Sequence, residues 1–326
     1  MTRLNGTHPA LTVAVTRGDW IESRHRVAAC LVGPSGTIAS WGDVDSPVFS
    51  RSALKPLQVL ALLSHIPDLD RRRLALACAS HNGEPVHVDL AMDWLREMRL
   101  GPDALECGAH DPIDAASARA LAAEGCVCGR QHNNCSGKHC GFLALARVLG
   151  VDPAGYTRWD HPVQVAVRRA AEPLLGLDID PLPWGIDGCG APNPALPLTA
   201  LARAFSCLAR QEGPLERRVF DAMAAEPYLV AGRGRFDTDA MRAWPGRVIV
   251  KGGAEGVWAA GIAGTGLGLA LKVEDGAKRA AEVAIAGLLS RLMGDAAALA
   301  AWAMSPVKNA DGHEVGAIRL LWENDQ

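Results

Sequence analysis

The residues GRVIVKGGAEGVWAAGIAGTGLGLALKVED, positions 246–275, hold three apolar runs, GRVIVKGG, GVWAAGIAG and LGLALKVED, parted only by short glycine-rich turns. Turns that short cannot carry a helical crossover, so the three runs predict neighbouring antiparallel strands. The same texture opens the chain in LTVAVTRG (11–18), SRHRVAACLVG (23–33) and GTIASWGD (36–43). The two ends of the chain are therefore expected to build one antiparallel sheet, with strands from about 10–50 and 246–275. Between them, residues 52–245 read as mainly helical. DAASARALAAEG starts at the N-cap Asp114 and stops at Gly125, and HPVQVAVRRAAEPLLG, PALPLTALARAFSCLARQEG and PLERRVFDAMAAEPYLVAG follow. A long amphipathic helix over about 276–294 closes the pattern. The expectation is an α+β fold, an antiparallel sheet packed with helices and carrying a helical region, in one domain over residues 1–326.

Composition narrows the function. The formal charge of -3 gives no electrostatic footprint for nucleic acid or an acidic membrane surface. No apolar run approaches the length of a membrane span, and MTRLNGTHPALTV lacks the apolar centre of a signal peptide. A cytoplasmic protein is the expectation. Nine cysteines, an odd number, point to thiols or metal ligands rather than a disulfide framework.

Lysine is scarce: Lys55, Lys138, Lys251, Lys272, Lys278 and Lys308 are all there are, against 33 Lys and Arg together. Arginine keeps its proton, whereas a desolvated lysine beside another cation can release it. Ser52-Ala-Leu-Lys55 places a lysine three residues after a serine, on one helical face. Ser80-His81-Asn82 and Lys251-Gly252-Gly253 follow. The order S-x-x-K, S-x-N, K-x-G is that of serine β-lactamases and penicillin-binding proteins. It predicts two Ser/Lys pairs, Ser52 with Lys55 and Ser80 with Lys251, in which a neutral amine activates a hydroxyl.

Between these motifs, HNNCSGKHCGF gathers His132, Cys135, Lys138, His139 and Cys140, and DGCGAPNP adds Asp187 and Cys189. The spacing of Cys126, Cys128, Cys135 and Cys140 does not match paired C-x-x-C units, so buried thiols are one reading. The glycines at 137, 141, 188 and 190 predict tight turns that aim side chains inward, towards a soft-ligand site for Zn²⁺.

The blocks SRSALK (50–55), ASHNGE (79–84), NNCSGKHCG (133–141), DGCGAP (187–192) and KGGAEG (251–256) together resemble the rhizobial-type, thermolabile L-asparaginase II family. That resemblance implies a fold related to serine β-lactamases and glutaminases, a homodimer, and hydrolysis of L-asparagine to aspartate and ammonia. It implies catalysis by Ser52, Lys55, Ser80 and Lys251, and zinc held by Cys135, Lys138 and Cys189. Arg51 is placed for the substrate's α-carboxylate, Asp187 for its ammonium, and His139 to orient substrate or water. Two alternatives stand beside it. One is a glutaminase or β-lactam-recognising hydrolase on the same scaffold. The other is a non-catalytic zinc- and thiol-binding protein whose serines cap helices.

Overall fold

The computed structural model describes residues 6–322. Five strands open the chain: β1 (Gly6–His8), β2 (Leu11–Arg17), β3 (Trp20–Gly33), β4 (Gly36–Trp41) and β5 (Val48–Phe49). Helices α1 (Lys55–His65), α2 (Arg71–Ala77), α3 (Pro85–Glu97), α4 (Ala115–Ala123), α5 (Ser136–Leu149) and α6 (Pro162–Leu175) come next. Two short strands, β6 (Trp184–Ile186) and β7 (Pro192–Leu196), lead into α7 (Leu198–Arg210), α8 (Pro214–Ala225), α9 (Pro227–Val230) and α10 (Phe236–Ala243). The chain then returns to the sheet with β8 (Val248–Gly252), β9 (Val257–Ile262) and β10 (Leu267–Val273). It ends with α11 (Lys278–Met293), α12 (Ala300–Ala303), β11 (Met304–Lys308) and β12 (Glu314–Leu321).

The large sheet runs β11-β12-β2-β3-β10-β9-β8, with β4 also on β3 and β1 beside β4. Every pairing is antiparallel except β1 with β4. The two ends of the chain do share one sheet, and its seam is β3 against β10, Val27–Val32 facing Gly268–Val273. The fold is thus α+β, as the terminal strands predict.

β8 and β9 are buried at every position rather than at alternate ones. Both faces of this part of the sheet are therefore covered. On β9 these are α7, which also packs on β3 and β10, and α11, which also packs on β2, β3, β10 and β12, while β8 is covered by α10 and α8. α7 comes so close that a methyl group on Gly268 would lie 1.9 Å from Ala202 O and 2.4 Å from Ser206 N. Backbone cannot step aside as a side-chain tip can. Gly268→Ala should therefore cost about 3 kcal/mol, read as a drop in the urea midpoint; an unchanged midpoint would refute this packing.

Three features depart from the sequence reading. β11 and β12 extend the sheet beyond the helix expected to close it, with Pro306 on an edge strand where a missing N–H is tolerated. β6 and β7, inside the region read as helical, join β5 in a small second ladder. Pro194–Leu196, read as the start of a helix, belongs to that ladder, and α7 begins only at Leu198.

α1 is the centre of the helical region. It is buried from Lys55 through Leu63 and packs on α5, α6 and α8. A helix apolar all round has no solvent face to keep. The 3₁₀ turn at its head, Arg51–Leu54, rests on β8 and β9, and this contact brings the first motif to the third.

Candidate active site

Ser52 and Lys55 straddle the junction between the 3₁₀ turn and α1, where the Lys55 backbone N–H donates to Ser52 O. Arg51, just before, has φ +47°, a conformation that costs a non-glycine residue on the order of 1 kcal/mol. Asn193 holds it there, its Oδ1 accepting from Arg51 N at 3.1 Å and from the Ser50 hydroxyl at 3.2 Å. Gly253 presses on the same turn: a Cβ there would meet Ser52 N at 3.2 Å and Ala53 N at 3.3 Å.

Ser80 lies between α2 and α3. Its N–H donates to Val230 O and that of Asn82 to Ala231 O, which fastens the loop to the end of α9. Two buried amines meet on this serine. Lys55 Nζ donates to Ser80 Oγ at 2.9 Å and to Ala79 O. Lys251 Nζ, from β8, reaches Ser80 Oγ at 2.9 Å and Gly252 O at 2.6 Å. The expected Ser80–Lys251 pair is formed, but the Lys55 amine binds Ser80 and not the Ser52 hydroxyl. Among the described residues the Ser52 hydroxyl has no hydrogen bond. It lines a cavity of about 350 Å³ together with Ser80, Arg51, Asp187, Cys135, Cys189, Arg235 and the turn Gly252–Ala254.

Lys251 is fully buried, and burial pulls its amine from 10.5 down to about 7. Asp237 opposes that shift, while Lys55 and Arg235 reinforce it. The Asp237 carboxylate is 3.8 Å from Lys251 and accepts from Gly252 N and Trp258 Nε1.

On the opposite wall, Arg51 and Asp187 bind one another, Arg51 Nη2 lying 2.8 Å and Nε 3.0 Å from Asp187 Oδ1. Burial disfavours the Asp187 carboxylate, but Lys138 and Arg51 hold it below the usual carboxylate range. The charged groups expected to receive the two ends of a zwitterion thus neutralise each other.

The thiol cluster adjoins this wall. Cys135 precedes α5, Lys138 is on its first turn, and Cys189 is in the turn that Gly190 N closes onto Asp187 O. All three side chains are buried, and Lys138 Nζ donates to Cys189 Sγ at 2.9 Å. A hydrogen bond from Cys189, with help from Lys55 and Lys138 and against burial, holds the Cys135 thiol well below its ordinary value. Burial opposes charge on Lys138, yet Cys189 and Cys135 outweigh it and raise its amine. Gly137 and Gly141 lie inside α5 and make no turn, contrary to the sequence reading; a Cβ on Gly137 would meet Leu76 O at 2.4 Å, so this glycine lets α5 cross α2 closely.

His139 is fully buried and outside the cavity lining. Its Nδ1 sits 2.7 Å from Tyr156 Oη, and its Nε2 is buried without a hydrogen bond. Tyr156 Oη accepts from Glu106 N and can give its own proton to His139 Nδ1. Burial lowers this imidazole to about 4 and keeps it neutral.

Asp237, Arg235, Asn193 and Tyr156 escaped the sequence reading. Asp237 and Arg235 had only the helix-start signal of RFDTD, which reads as capping. No group of three or more His, Cys, Asp or Glu among the described residues could hold a metal ion. Any metal held by Cys135, Lys138 and Cys189 would need the amine as a ligand.

The family model for L-asparaginase II matches residues 13–320. The chain belongs to that family. No curated protein matches it. Among solved structures, the asparaginase II chain is similar to a putative β-lactamase from Bacteroides dorei, with 12% identity, a TM-score of 0.43, and coverage of 76% of this chain and 84% of that one. It is also similar to the native form of Mglu, with 15% identity, a TM-score of 0.42, and coverage of 77% of this chain and 60% of that one. A mutant simvastatin synthase from Aspergillus terreus gives 13% identity and a TM-score of 0.37, covering 76% of this chain and 84% of that one. At that similarity these structures say nothing of chemistry. Membership makes an asparaginase-type amidohydrolase the family activity, and no helix among the described residues is long and apolar enough to cross a membrane.

Proposed function

We propose that the protein hydrolyses L-asparagine to L-aspartate and ammonia through an acyl-enzyme on Ser52. The observation that carries this reading is the meeting of two buried lysine amines on one serine hydroxyl, each at 2.9 Å, in a cavity that a second, unbonded serine also lines. Ser52 attacks the side-chain amide carbon, and its proton passes to the relay of Lys55, Ser80 and Lys251. The Ser52 N–H, which has no acceptor among the described residues, stabilises the oxyanion, a contribution of roughly 3 kcal/mol. The relay then protonates the leaving ammonia, and water cleaves the aspartyl ester. On the charged wall, Asp187 takes the substrate's ammonium.

Cys135, Lys138 and Cys189 suit a zinc ion. Two sulfurs and one nitrogen, all buried, with the Lys138 amine bonded to Cys189 Sγ, form a soft donor set. Binding would strip the protons from Lys138 and Cys189, as a metal does to its ligands. The ion would supply fixed positive charge beside the cavity.

A coupled ammonia assay on asparagine and glutamine, with and without a chelator, tests the reading. Asparagine should turn over at least about tenfold faster than glutamine, a gap of the size one methylene gives. Faster glutamine turnover would favour the glutaminase alternative, and no ammonia from either would leave a thiol- and metal-binding protein.

A further inference from the structure

The charges that line the cavity do not balance. Arg51 and Asp187 neutralise each other. Lys278, also in the lining, is bonded to Glu282. Arg235 is left over. It is half-buried just before α10 and lines the same cavity. Its Nη1 donates to Asn82 Oδ1 at 2.9 Å and to Ser80 O at 3.3 Å, both uncharged acceptors. Among the described residues no carboxylate forms an ion pair with it, and its Nε and Nη2 have no hydrogen bond. A guanidinium offers five N–H donors in a planar fork that matches a carboxylate.

We propose that Arg235, and not Arg51, receives the α-carboxylate of the substrate, so that the site selects amides bearing a free α-carboxylate. This deepens the amidohydrolase reading and rests on it. The physical ground is competition. A carboxylate arriving at Arg51 must displace Asp187 from a guanidinium already held by two contacts, whereas at Arg235 it meets unspent donors. Asp187, steadied by Arg51, stays free to accept the ammonium with its second oxygen. Because Nη1 is bonded to the Ser80 carbonyl, a carboxylate on the same guanidinium is anchored to the backbone of a relay residue.

The test is steady-state kinetics of Arg235→Gln and Arg235→Lys on L-asparagine and on 3-aminopropanamide, which keeps the amine and the amide but lacks the α-carboxylate. Inhibition by the product L-aspartate is measured alongside. In Arg235→Gln, kcat/KM on asparagine should fall about 100-fold, mostly through KM. The L-aspartate Ki should rise in proportion, 3-aminopropanamide turnover should change less than about threefold, and Arg235→Lys should recover part of the loss. Parallel losses on both substrates, or an unchanged L-aspartate Ki, would show that Arg235 only positions the Ser80 loop and overturn the inference while the amidohydrolase reading stands. A wild-type protein that hydrolyses neither compound overturns both.

Discussion

Lys251→Met will lower kcat/KM on asparagine by about three orders of magnitude, within the range expected for loss of a positioned acid–base group, and will leave the fold intact. The Lys251 amine is wholly buried, lies 2.9 Å from the Ser80 hydroxyl and is pulled down to about 7. Below that pH it holds its proton and cannot accept one; above it the free amine is the dominant form. The wild-type kcat/KM should therefore climb about tenfold per pH unit on the acid side and level off above about 7. Methionine fills nearly the same volume without a proton site, so the acid limb should vanish with the activity. Stability should hold or rise, because the variant no longer has to desolvate an ammonium group. Asp237 keeps its bonds from Gly252 N and Trp258 Nε1 and is not stranded. A methionine variant that retained a tenth of the wild-type rate would remove Lys251 from the mechanism.

Ser52→Ala is expected to be still more damaging, by about 10⁴-fold or more, since removing a nucleophile leaves only binding and oxyanion stabilisation. Ser80→Ala should cost about 10²–10³-fold, the loss of a relay member and not of the attacking atom. The split follows from their surroundings. The Ser80 hydroxyl is clamped by two amines, whereas the Ser52 hydroxyl is unbonded among the described residues, and Ser52 lines the cavity. Rapid-quench mass spectrometry with asparagine should place the aspartyl ester on the peptide holding Ser52 in the wild type and in Ser80→Ala. An ester on Ser80, or a Ser52→Ala variant near wild-type rate, would make Ser80 the nucleophile.

Much of this protein could be read from local pattern. The runs in 246–275 announce β8, β9 and β10 because their connections are too short for anything but antiparallel neighbours. The motif lysines stand out because lysine is rare in the chain. β7 was hidden because Pro194 reads as a helix start, β11 because Pro306 reads as a break although an edge strand tolerates it, and β6 because three residues show no alternation. Asp237 and Arg235 were hidden because an ordinary helix start carries no mark of what its side chains will meet.

Residue types and spacing were enough to place the chain in the L-asparaginase II family and to show that its two ends share a sheet, since motif spacing, hydrophobic period and turn length are local properties. Tertiary structure alone decided that the Lys55 amine goes to Ser80, that Arg51 is held by Asp187, and that Arg235 keeps donors to spare. A lysine or arginine stem is long and flexible, and its head settles where burial and distant charges make the best contact, which no stretch of sequence around it can specify.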